Sequence, residues 1–161
     1  AAYGDLLECR RRMAKLRVKY RAQLRRRDLE YRVSEFETEK HSATAYEITA
    51  FENLKEEALY AIERDLPDFD TYMDEMDGYI ATARWRQDDF IRECFMSYAN
   101  RPEEFSDRVA FDRLRAKGIA LMEKGNIESL RSVFSEMLGY RIARENAKND
   151  HMYDDVNIVR S

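Results

Sequence analysis

Arg84-Trp85-Arg86 places the chain's single tryptophan between two guanidinium groups. Indole and guanidinium are the side chains enriched where protein interfaces concentrate their binding energy, so this triplet is the candidate protein-binding site. A second cationic group comes earlier: Arg10-Arg11-Arg12 and Arg25-Arg26-Arg27, with Lys15, Arg17, Lys19 and Arg21 between them. Such residues can grip the phosphates of nucleic acid or anionic lipid. They are spread all round a helix, however, and the chain has a net charge of −4, so nucleic acid is a disfavoured partner. The acid-rich segment at residues 68–78 invites a calcium reading. Tyr72 and Met73 stand where a calcium loop requires an acid or amide and a turn glycine, so an acidic first helical turn is expected instead. Neither His41 nor His151 has a Glu three residues before it, which removes the pairing used by carboxylate-bridged metal bundles. No nucleotide loop, nucleophile elbow or zinc spacing occurs. The expectation is therefore no catalytic residue, no metal and no cofactor.

These residues must be held by helices. Charged residues make up 37% of the 161 positions, well above an ordinary globular domain, whereas Gly (5) and Pro (2) are too few for the turns of a β-rich fold. The 12% aromatic content is enough to build a core, which argues against disorder. Cys9 and Cys94 stand apart from each other and from any histidine cluster. That favours a reducing, cytoplasmic setting without a disulfide. No apolar run has the length of a membrane span. The start at Ala1-Ala2-Tyr3 fits either a piece of a longer protein or a processed terminus.

The apolar periodicity predicts five helices. In the first, residues 5–40, Leu6, Cys9, Met13, Leu16, Tyr20 and Leu24 form one stripe. Leu29, Val33 and Phe36 continue it with a small phase shift, as in a long helix that changes partner or kinks near Arg26. Thr44-Ala45-Tyr46-Glu47 reads as a capping box opening the second helix, which closes at Asp65-Leu66-Pro67-Asp68. A third helix is expected over residues 67–99, carrying Phe69, Met73, Met76, Ile80, Ala83, Ile91, Cys94 and Tyr98. A fourth starts after Asn100-Arg101-Pro102 and holds Phe105, Val109, Phe111, Leu114 and Ile119. Gly125-Asn126 then turns the chain into a fifth running to Ile142. The result is an all-α bundle with a long N-terminal antiparallel hairpin and a shorter C-terminal one. Its divisions, within one continuous domain, are a charged hairpin at 1–66, a bundle portion at 67–148 and a polar tail at 149–161.

Charge divides along the chain. Residues 1–33 carry eleven Lys/Arg and four Asp/Glu, whereas residues 34–78 carry three and fourteen. Pairing of the basic first helix against the acidic second is the plain explanation.

The stretch at residues 111–133, centred on Gly125-Asn126-Ile127-Glu128-Ser129-Leu130-Arg131, resembles the helical C-terminal extension of bacterial chaperones similar to the seventy-kilodalton heat-shock family. The resemblance covers about one fifth of the chain and excludes any ATPase part. It implies a helical appendage of a chaperone-like protein. The Arg144/His151 spacing resembles that of HEPN-type helical ribonucleases. The favoured reading is a non-catalytic protein-interaction or regulatory module whose partner is a protein. The alternatives are such a ribonuclease or a coiled-coil element that makes a homo-oligomer through the first hairpin.

Overall fold

The computed structural model describes residues 1–143. They form six α-helices: α1 (Ala2–Glu39), α2 (Ala45–Arg64), α3 (Phe69–Trp85), α4 (Asp88–Ala99), α5 (Arg108–Glu123) and α6 (Ile127–Leu138). Short 3-10 turns lie at Lys40–Ser42 and Pro102–Glu104. Among the described residues the only extended pairing is the isolated bridge between Phe105 and Arg141. The fold is all-α, as the composition requires, with one more helix than the periodicity predicts.

The chain forms two compact units, residues 1–80 and Ala81 onward. In the first, Leu29, Phe36, Phe51, Ala58, Ile62, Phe69, Met73 and Met76 share a core. The start of α3 thus belongs with α1 and α2, and the boundary expected after Leu66 is a turn within a unit. The capping box is present: the Thr44 hydroxyl accepts from the Glu47 N–H at 3.2 Å and Glu47 accepts from the Thr44 N–H at 2.9 Å. Asp65 ends α2 with a left-handed φ of 53°, a conformation that Asp tolerates better than most side chains. Helices α1 and α2 pair antiparallel. The Phe36 and Phe51 rings stack at 3.9 Å, and about four turns away Arg21 reaches Asp65 at 2.7 Å.

The second unit is built on Ile91, Phe95, Tyr98, Phe111, Leu114, Leu130, Phe134 and Met137. Helices α5 and α6 form the expected hairpin. Gly125 turns the chain at φ +69°, which costs glycine little, and the Asn126 side chain accepts from the Ser129 N–H to start α6. Helix α5 begins at Arg108 rather than after Asn100, because Asp107 caps it through the Ala110 N–H while residues 102–104 make a separate turn. Val109, expected inside, is exposed; Ala110 and Phe111 take the inward positions. Helix α6 ends at Leu138. Ile142 lies beyond it, half exposed, and donates its backbone N–H to the Glu104 carbonyl.

Candidate functional site

Arg84-Trp85-Arg86 lies where the expected third helix divides. Gln87 is extended (φ −88°, ψ 125°), α3 stops at Trp85, and Asp88 and Asp89 open α4 at its positive dipole end. No Gly or Pro forces this break. The side chain of Arg131, on α6, holds it. Its guanidinium donates to the carbonyls of Trp85 (3.3 Å) and Arg86 (2.8 Å), to Asp88 (3.0 Å) and to Glu128 (2.7 Å). Carbonyls left without partners at a helix end are thereby satisfied by a cation. The Trp85 ring is only partly exposed and stacks on Phe134 at 5.7 Å, so the indole also contributes to the second core. Arg86 is exposed and Arg84 half-buried. The triplet is chiefly a corner of the fold, and Arg131, which organises it, gives no sign in the sequence pattern around Trp85.

A second polar cluster is also architectural. The Tyr98 ring lies between the guanidinium groups of Arg101 (5.4 Å) and Arg141 (5.0 Å). Both cations approach the buried Glu104 carboxylate, at 3.6 and 3.9 Å. Burial pushes the Tyr98 phenol well above the ordinary tyrosine range. Arg141 and Arg101 oppose that rise and Glu104 adds to it. The cluster ties the turn before α5 to the strand-like segment after α6. A cavity of about 280 Å³ between α5 and α6 is lined by Lys117, Leu121, Ser129, Ser132, Val133 and Glu136, at the small end of ligand sites. The acid-rich segment at 68–78 is helical from Phe69, not a loop. Among the described residues no group of three His, Cys, Asp or Glu side chains converges as a metal site would require. Arg144 and His151 lie outside the described residues.

The longest run of exposed residues in the described helices is at the start of α1. The register between Arg21 and Asp65 brings α2 to its end beside Arg21, so the first five turns of α1 overrun their helical partner. Residues 1–21 are all exposed, including Leu6, Met13 (54%), Leu16 (64%) and Tyr20. The expected pairing of basic with acidic helix is therefore realised only in the second half of α1. There Arg21 and Arg25 meet Asp65 at the end of α2, and Arg32 grips Asp77, on α3, through two bonds of 2.9 and 3.1 Å. The phase shift near Arg26 is large rather than small. The five-residue step from Leu24 to Leu29 turns a helix by about 140°, so the exposed stripe and the buried one lie on nearly opposite faces. The helix does change partner, and its first half has none among the described residues.

No protein-family model, curated protein or solved structure matches this chain. Among the described residues, no helix is long and apolar enough to cross a membrane.

Proposed function

We propose that the chain is a non-catalytic helical module that binds another protein, and that its binding element is the exposed first half of α1. One observation carries this: Leu6, Met13 and Leu16 recur along a helix that leaves them in water. Exposed apolar side chains are ordinary singly, but a continuous row of them marks a contact surface. The rest of the fold supplies a mount. Leu29, Val33 and Phe36 fix the second half of α1 in the first core, which nucleates the helix from which the first half propagates. The resemblance of the α5–α6 hairpin to chaperone extensions adds a setting: a module appended to a chaperone-like protein.

The test is photo-crosslinking in cells with a photoreactive amino acid at Val18 or Leu7, on α1, against one at Val109, on α5. Protein adducts specific to the α1 positions support the reading. Equal labelling at Val109, or adducts only to nucleic acid, would overturn it.

A further inference from the structure

We infer that the exposed stripe of α1 is one half of a heterotypic coiled coil, and that its partner is an amphipathic helix with acidic residues flanking an apolar seam. This rests on the interaction reading above and names the partner's chemistry. Leu6, Cys9, Met13, Leu16 and Tyr20 follow one another at steps of three, four, three and four. That 3.5-residue period is the seam of a two-stranded coiled coil, two positions per heptad, and it is narrower than the apolar face of a membrane-surface helix. With Leu6 and Met13 at the first core position and Cys9 and Leu16 at the second, the flanking positions are filled by Asp5, Arg10, Arg12, Arg17 and Lys19. These are the positions that choose coiled-coil partners through charge.

Four of these five flanking residues are cations, and Arg10, Arg17 and Lys19 have no ion-pair partner among the described residues. A second copy would set most of these cations against each other in either orientation, with Asp5 the one flanking acid to offset them, so the seam disfavours itself. The chain's own acidic helix, α2, matches in charge, but the large apolar side chains it exposes, Tyr46, Leu59 and Tyr60, do not form a heptad seam that could receive Leu16. A polyanion such as RNA would satisfy the cations and leave the apolar row in water. An acidic-flanked helix satisfies both. Residues 1–27 hold ten Lys/Arg and only two acids, Asp5 and Glu8, and like-charged neighbours four apart, such as Arg11/Lys15 and Arg17/Arg21, repel within the helix. A partner with glutamates at its flanking positions relieves that repulsion. The short seam, little more than two heptads, makes the contact weak, reversible and sensitive to salt.

The test uses the full chain and two synthetic three-heptad peptides with leucine at both core positions, one with glutamate and one with lysine at every flanking position. Cys9 sits in the seam and is exposed, whereas Cys94 is buried, so alkylation reads occupancy with an internal reference. The glutamate peptide should bind and protect Cys9. The lysine peptide should not. Met13→Glu with Leu16→Glu should weaken binding by roughly tenfold or more without changing the melting temperature, because both side chains are exposed. Reversing Arg10, Arg12, Arg17 and Lys19 to glutamate should exchange the preference to the lysine peptide. Equal binding of both peptides overturns the inference. So does protection of Cys9 by self-association alone, by single-stranded RNA or by phosphatidylserine vesicles in place of the glutamate peptide. If the peptides fail while α1-specific protein crosslinks persist in cells, the interaction module stands and only the assigned partner class falls.

Discussion

Arg131 shows how far a single side chain can act. Its guanidinium stays mostly buried while bonding two backbone carbonyls and two carboxylates around the α3–α4 break. Hydrogen bonds from a charged donor contribute more than neutral ones, so Arg131→Ala should lower stability by about 2 kcal/mol in chemical denaturation. Arg131→Lys should recover only part, since an ammonium cannot span both carbonyls as the planar fork does. Tyr98 makes a prediction in pH. Its phenol titrates above the ordinary range in the folded chain, chiefly through burial, and near the ordinary value once unfolded. Its contribution to stability is therefore complete below the unfolded value of about 10 and is lost as pH rises from there toward the folded value. Denaturation midpoints measured from about pH 9 to 11 should fall more steeply for the native chain than for Tyr98→Phe. A parallel fall in both would remove Tyr98 as the cause. Neither role was legible beforehand, since each depends on groups far apart in sequence: Arg131 meets Trp85, and Arg141 meets Glu104.

At the scale of elements, what the sequence states locally survives in the fold and what it leaves to packing does not. The capping box at Thr44, the Gly125-Asn126 turn and the pairing of α1 with α2 all follow from neighbouring residues. The division of residues 67–99 into α3 and α4 does not, because the apolar period keeps its phase from Ala83 to Ile91 across Arg86-Gln87 and the break is held from α6. The same distinction decides the effect of Gly118→Ala. Helix propensity alone favours alanine by about 1 kcal/mol within α5. A Cβ at Gly118 would, however, press into the ring of Phe95, which is fully buried and meets Phe134 edge-on at 5.9 Å. Overpacking of that kind costs about 1–3 kcal/mol, so Gly118→Ala should destabilise despite the better helix former. Pairing it with Phe95→Leu should restore much of the loss; thermal melts of the three variants decide.

At the scale of the whole molecule, the charge split is visible in the sequence at once, but its meaning is not. Plain internal pairing accounts for Arg21, Arg25 and Arg32 and leaves the cations before them, apart from Arg12 beside Glu8, without an ion-pair partner among the described residues. The candidate at Arg84-Trp85-Arg86 was chosen by residue type alone, and burial adds that the indole is stacked on Phe134. The better signal was the step of five between Leu24 and Leu29, which separates an exposed stripe from a buried one. That step works like a gear setting. Since α1 is continuous from Ala2 to Glu39, the number of residues between the stripes fixes the compass bearing at which a docked helix leaves the first unit. Inserting one alanine between Arg26 and Arg27 would advance the seam by about 100° without altering any seam residue. The glutamate peptide should then bind as before. The distance from a spin label on that peptide to one at Tyr60→Cys should nevertheless change, and four inserted residues should nearly restore the bearing while moving the seam about 6 Å outward. Affinity and direction would thus be set by different stretches of one helix, and each could drift while the other is held.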